Sequence, residues 1–490
     1  MFKLEEATIA DIQAAVATKE ISCKELTLMY MERITSIDSN EGGLNSVCEL
    51  NPDALAIAQF LDDERMKGSL RGPLHSVPIL LKDNINTGDK MTTSAGSLAL
   101  GDNYPYMDAD IARNLRECGA LVLGKTNMTE MSNWMAEDMP CGYSSRGGQV
   151  LNPYNREAPP RGSSSGSAVA VTANLCAASV GTETHGSIIG PAIANGVVGI
   201  KPTAGLFSNA GIVPISSTLD TPGPMARTVR DAAVMLGGMQ NAMGSMYAHA
   251  TFLVSSWSPG GYHETGKKDY TAGLENTSIR GLRFGLYGGA VKDDDEYGAA
   301  FKQALDSLAN AGAAIMENIP DILPESPWDY IGNHIALHEF RHSFKGYMRL
   351  TYMGKKNAIT SLEEVIEFNK ANPKKCLKYG QSVLEDCLSK SSGRLVEAEY
   401  ITALRRRETA IKDFDKIFTE NNLDVLIDIP ENAGIAPMTG FPCGTIPFAT
   451  RKNNVPMGLY FIARRNDEST LLRVMHAAEQ LIGNRRAPVV

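Results

Sequence analysis

The chain has 490 residues, 47 Lys and Arg against 56 Asp and Glu for a net charge of −9, with 43% hydrophobic and 21% charged residues. These are the proportions of an ordinary globular protein, and the acidic balance, with no basic stripe interleaved with aromatics, excludes a nucleic-acid-binding surface. No apolar run is long enough to span a bilayer. The N-terminal MFKLEEATIADIQ has no apolar core of the kind a signal peptide needs. Eight scattered cysteines without a C-x-x-C pair fit free thiols in a reducing cytoplasm.

Residues 5–40 read as two amphipathic helices, capped by Thr8 and Ser22, and residues 54–66 as a third. Val77–Asn84 is a short apolar strand with Lys82 at its far end. A helix with Ile111, Leu115 and Cys118 on one face, followed by the strand Ala120–Leu123, gives the βαβ alternation of a parallel or mixed sheet. The Gly, Asn and Pro-rich run from Gly142 to Gly162 reads as a long irregular loop, of the kind that tends to carry function.

The stretch Arg161 to Lys201 has an unusual composition for a core. Ser163, Ser164 and Ser165 open a run of alanines and valines that can form a tightly packed buried helix, and a second knot, Thr182 to Ser187, follows the apolar segment Ala177–Val180. Glycines let backbones approach closely, and serines supply nucleophilic or proton-relaying hydroxyls. Two such knots flanking one compact unit bring serines together beside free backbone N–H groups.

These residues resemble the amidase signature family of serine hydrolases. The resemblance lies in Gly162-Ser163-Ser164-Ser165-Gly166-Ser167, Gly181-Thr182-Glu183-Thr184-His185-Gly186-Ser187-Ile188 and Gly199-Ile200-Lys201-Pro202-Thr203. It implies one domain over 1–490 with a signature core about 75–235. The implied fold is a central mixed, largely parallel sheet covered by helices on both sides. It further implies Ser187 as nucleophile, Ser163 as bridging serine after a cis Gly162–Ser163 peptide, and Lys82 as base. Backbone N–H groups of Thr184, His185 and Gly186 would form the oxyanion hole. Lys125-Thr126-Asn127 and the turn Glu130–Asn133 resemble a segment lining the acyl pocket, with Ser132 as a substrate contact. His185 and Ile189 depart from the broad pattern, which carries glycine and arginine there. A peptide amidase-like subgroup also lacks both, with Asp in place of His185, and this chain shares more with it. For His185 two readings stand: a side chain turned away while its N–H works, or an imidazole bordering the leaving group.

Beyond Thr203, Asp220 to Thr228 is again family-like and leads into a helix Val229–Met239. Asn241–Thr277 reads as a surface excursion before the strand Leu282–Tyr287. Residues 320–400 are helix-rich, unlike the signature, and are expected to wall the substrate entrance. Arg405-Arg406-Arg407 reads as a solvated helix face. The tail returns to α/β with Val425–Ile427, Thr445–Pro447, Met457–Ile462 and a helix from Glu468.

The expected activity is hydrolysis of a primary carboxamide, either a C-terminal peptide amide or a small aryl or alkyl amide, to acid and ammonia, without cofactor or metal. Competing readings are a carbamate or ester hydrolase of the same family and the amidase component of a tRNA-dependent amidotransferase. A binding protein with a dead site would need Lys82, Ser163 or Ser187 to be missing. The stretch His338-Glu339-Phe340-Arg341-His342 also satisfies H-E-x-x-H on a helix, a zinc hydrolase pattern without a third ligand. The expected partner is the small or peptide amide substrate, with neither nucleic acid nor membrane, and the chain a monomer or homodimer.

Overall fold

The computed structural model describes residues 2–240, 268–276, 278–288, 296–351, 359–429 and 434–490. Thr8 and Ser22 each close a capping box, on the helices Ile9–Ala17 and Cys23–Ile37. Each hydroxyl accepts the amide of the third helical residue, whose carboxylate accepts the cap's own amide. Eleven strands form one sheet: β1 (Val47–Leu50), β2 (Pro78–Lys82), β3 (Leu121–Thr126), β6 (Ala178–Glu183), β7 (Val198–Lys201), β8 (Thr221–Ala226), β9 (Arg283–Tyr287), β10 (Ala314–Ile319), β11 (Val425–Asp428), β12 (Cys443–Thr450) and β13 (Pro456–Ala463). A two-residue hairpin, β4 (Tyr143–Ser144) with β5 (Gly148–Gln149), is the only regular structure in the loop before Gly162.

Across the sheet the order is β1-β3-β2-β6-β8-β7-β12-β13-β11-β9-β10. The sheet is mixed, as expected. Its parallel pairings fall in two flanking blocks, β3-β2-β6 and β11-β9-β10, while the centre from β6 to β11 is antiparallel. Helices cover both faces. A Cβ on Gly444 would meet Met475 of the helix Glu468–Ile482, and one on Gly458 would meet Ile193 of the helix Ile189–Ala194. Gly444 pairs with Phe461, three residues from Gly458, so by strand alternation the two helices lie on opposite faces.

Two expectations change, and one central strand was not anticipated. The surface excursion is described only at its end, residues 268–276, where Tyr270 and Leu274 are buried in the main core; the rest lies outside the described residues. The arginine triplet is not one solvated face. Arg407 is buried and donates to the Met438 carbonyl at 2.9 Å, and Arg406 lies over the Tyr330 ring, leaving only Arg405 exposed. Strand β8, TPGPMA, sits fully buried between β6 and β7 although its two prolines and glycine argue against a central strand. Its pairing is long on the β6 side, six residues, and only two residues long on the β7 side.

Helices dominate the segment about 320–400, with Asn333–Thr351, Leu362–Ala371 and Ser382–Lys390. They bury Phe340, Phe344, Val365 and Leu384 against Leu100, Met128, Met131 and Trp134 in an apolar cluster separate from the main core.

Candidate active site

Strands β2 and β6 are parallel neighbours, paired Ile79 to Ala178 through Leu81 to Val180. Their carboxyl ends therefore emerge side by side, the place where open α/β sheets build their sites. Lys82 closes β2, and Thr182 with Glu183 closes β6. Between them in the chain, the helix Ser165–Thr172 packs on the sheet with all eight residues buried. Small side chains are what permit that approach: a Cβ on Gly166 would collide with the backbone of Ser46 and Asn127, and one on Gly181 with the Ser164 side chain.

The Gly162–Ser163 peptide is cis. The Ser163 carbonyl accepts the Thr129 amide at 3.1 Å, and the Ser164 amide donates to the Ser187 carbonyl at 3.1 Å, which ties the two serine knots together through the main chain. Lys82 Nζ lies 2.7 Å from Ser163 Oγ, 2.9 Å from Thr182 Oγ1 and 3.3 Å from the Thr182 carbonyl. Burial pulls the Lys82 pKa down to about 7, against the opposing pull of Asp220 and Glu183. A buried ammonium without a carboxylate in contact loses its hydration without recovering it. The neutral amine is thus accessible near neutral pH.

Ser187 is buried at the start of the turn that leads into the helix Ile189–Ala194. Among the described residues its hydroxyl makes no hydrogen bond, so the wire from Lys82 is closed as far as Ser163 only. Glu183 Oε2 accepts the amides of Ile188 at 2.7 Å and Ile189 at 3.0 Å. That carboxylate absorbs the donors just after the nucleophile position. The amides of Thr184, His185 and Gly186 have no partner among the described residues and form a turn through Gly186, at φ 72°. Thr184 is held from outside the turn: its hydroxyl donates to Asp220 at 2.6 Å, and Asp220 also accepts the Ile215 and Ser216 amides. Burial raises the Asp220 carboxyl to about 6.

The His185 ring is exposed to a cavity of about 330 Å³ that it lines together with Gly162, Gly186 and Ile189. It stacks on Trp328 at 4.9 Å, and Trp328 meets Trp134 edge-on at 5.7 Å. Protein packed round the imidazole lowers its pKa, with Glu183 and Asp329 opposing. The His185 side chain is on the cavity wall.

Ser132 is half-buried within three successive left-handed residues, Met131, Ser132 and Asn133, and is not among the residues lining that cavity. Lys125 points elsewhere: its ammonium donates to the carbonyls of Ile85 and Thr92 and to Thr93 Oγ1. Sequence reasoning missed Thr182, Asn84 and Asp220 as partners around Lys82. Thr182 lay inside the quoted motif, and Asn84, which donates to Thr182 Oγ1 at 3.0 Å, lay two residues from Lys82. Neither position announces a side-chain contact.

The H-E-x-x-H stretch has a structural occupation. The Glu339 carboxylate accepts Ser216 Oγ, Thr218 N, Thr218 Oγ1 and Tyr400 OH, pinning the helix to the loop before Asp220. His338 Nδ1 is engaged with the His334 carbonyl and His342 Nδ1 with the Gly393 carbonyl. Among the described residues no cluster of three or more His, Cys, Asp or Glu could hold a metal ion.

The family model described as Amidase matches residues 25–438. A protein named "probable amidase" from Arabidopsis thaliana is 36% identical over 99% of this chain and 92% of its own length. Among solved structures, the native peptide amidase of Stenotrophomonas maltophilia superposes with a TM-score of 0.90 at 38% identity, covering 100% of this chain and 99% of that one. An amidase family protein of Bacillus anthracis gives 0.89 at 33% identity over 99% and 93%. The chain belongs to the amidase signature family and is a hydrolase of carbon–nitrogen amide bonds.

Proposed function

We propose that the chain hydrolyses a primary carboxamide, of the class of a C-terminal peptide amide or a small aryl or alkyl amide, through an acyl-enzyme on Ser187. The observation that carries this reading is the 2.7 Å contact of a buried, pKa-lowered Lys82 with Ser163, beside a turn whose amides are unpaired. Ser187 Oγ attacks the carbonyl while its proton passes to Ser163, whose own proton passes to Lys82. The oxyanion accepts the amides of Thr184, His185 and Gly186. Collapse breaks the carbon–nitrogen bond as Lys82 returns the proton through Ser163 to the leaving nitrogen, which departs as ammonia. Water then repeats the sequence on the acyl-enzyme. Ser187 and Ser163 close to hydrogen-bond distance when substrate fills the site, as catalytic contacts commonly tighten on binding.

The peptide side of this reading is supported by the similarity to the Stenotrophomonas peptide amidase and to a peptide amidase solved with the competitive inhibitor chymostatin. A single domain spanning 1–490 has its signature core about 75–235. The helical segment about 320–400 acts as the wall of the entrance, since Trp328 stacks on His185. Ser132, in the turn Glu130–Asn133, contacts the acyl group. Eight free cysteines suit a reducing cytoplasm, and no described helix is long and apolar enough to cross a membrane. The chain works as a monomer or homodimer without cofactor. Ammonia release from a panel of peptide and aryl amides, by the isolated chain and by Ser187→Ala, tests the reading. Release that persists in the variant, or that appears only with esters or carbamates, overturns it.

A further inference from the structure

The 330 Å³ cavity that adjoins Gly162, His185 and Gly186 has an apolar floor, including Ile189, Ile193 and Met457, and two cations on its wall, Arg161 and Arg451. Neither guanidinium has an ion pair or hydrogen bond among the described residues; Arg451 lies 5.9 Å from the Tyr297 ring centroid. Several other arginines are closely satisfied. Arg485 holds Glu6, Thr172 and the Gly196 carbonyl, and Arg146 holds both Asp83 and Glu49. Arg161 is exposed and Arg451 half-buried, and together they place two unmatched positive charges on one recess of a protein with net charge −9. A recess with low-dielectric walls concentrates the field of such charges.

We infer that this cavity reads an anion: Arg161 and Arg451 receive a carboxylate carried on the acyl part of the substrate. This rests on the primary-amide reading above, in which the leaving group is only ammonia, so that a cavity adjoining Gly186 beside Ser187 is left for a part of the acyl group. The planar guanidinium suits a carboxylate through paired, charge-assisted hydrogen bonds. The apolar floor takes the carbon skeleton between that carboxylate and the reacting carbonyl. Arg161 immediately precedes Gly162 in the chain, so an anion held there is registered directly against the Ser163 knot. The substrates favoured are acidic acyl amides, such as peptide amides with a Glu or Asp near the carboxamide or acyl amides with a terminal carboxylate.

Two matched pairs test this on the full chain: N-acetyl-Glu-Phe-amide with N-acetyl-Gln-Phe-amide, and succinyl-Phe-amide with butyryl-Phe-amide. In at least one pair the acidic member should have kcat/KM about 10-fold higher at low ionic strength, carried mainly by KM, with the advantage shrinking as salt rises. In Arg161→Gln/Arg451→Gln the ratio should fall toward one. A ratio near one in both pairs for the unmodified chain overturns the inference while leaving amide hydrolysis intact, as does a preference that survives in the double variant. Calorimetric binding of the same peptides to Ser187→Ala is the second readout. If no amide is hydrolysed, the reaction reading fails, and the Kd ratio decides the subsite alone. Tighter binding of the acidic member, lost with both arginines, supports it; equal binding overturns it.

Discussion

Lys82 Nζ and Ser163 Oγ stand 2.7 Å apart, and the only other groups bonded to that nitrogen among the described residues are the two oxygens of Thr182. A lysine so buried normally meets a carboxylate. Here Asp220 and Glu183 act on it only through space, which leaves the amine able to take a proton and give it back. Everything proposed about the reaction follows from that choice of neighbours.

Replacing Lys82 by Met should therefore separate stability from activity. Ammonia release should fall about 10²–10⁴-fold, the usual contribution of a positioned base. The melting temperature should stay level or rise, because a desolvated amine gives way to an apolar chain of similar length. A large loss of Tm would show instead that Lys82 is a structural residue.

The pH dependence has a definite sign. The base works when neutral, so kcat/KM should climb as pH rises through about 7. The same depression means that the unfolded chain binds a proton at Lys82 that the folded chain does not, between about 7 and the ordinary lysine value of 10.5. Lys82 therefore adds to stability as pH rises across that window. Asp220 favours the protonated amine, and Asp220→Asn should move the rate midpoint to lower pH. A midpoint unmoved or shifted upward would refute the assignment.

Thr182→Val keeps the β-branched shape of β6 and removes one hydroxyl from between Lys82 and Asn84. We expect kcat to fall about 3–10-fold, the worth of one hydrogen bond of about 0.5–1.5 kcal/mol. The change should show in steady-state kinetics with KM nearly constant.

Glu339→Ala should cost about 3 kcal/mol in chemical denaturation, since it strands several buried donors from the 216–218 loop and Tyr400. Chelators should leave the hydrolysis of the unmodified chain unchanged. Activity abolished by a chelator and restored by zinc would reinstate the metal reading of H-E-x-x-H.

Trp328→Ala removes the ring stacked on His185 and its edge contact with Trp134. KM for bulky acyl amides should rise about 10-fold, with a smaller effect on kcat, since truncating a half-buried aromatic of a binding wall costs on the order of 1.4 kcal/mol. Equal losses for small and bulky amides would place Trp328 outside substrate contact.

Much of this was legible in the residues themselves. Capping signals marked both N-terminal helices, and hydrophobic runs marked the strands on either flank, because local hydrogen bonding and burial periodicity are properties of short segments. The serine–glycine knots marked the chemistry, since few other reasons exist to crowd hydroxyls and glycines round an alanine-rich helix. What the segments could not carry was partnership across distance. Strand β8 was hidden because Pro222 and Pro224 look like loop residues until β6 and β7 close round them. Arg407 looked solvated until the Met438 carbonyl was folded against it. The roles of Thr182 and Asp220, the stack of His185 on Trp328, and the pairing of Arg161 with Arg451 on one cavity wall bring together residues from 36 to 290 positions apart. Such meetings are set by sheet order and helix packing, to which a local pattern contributes only its own side.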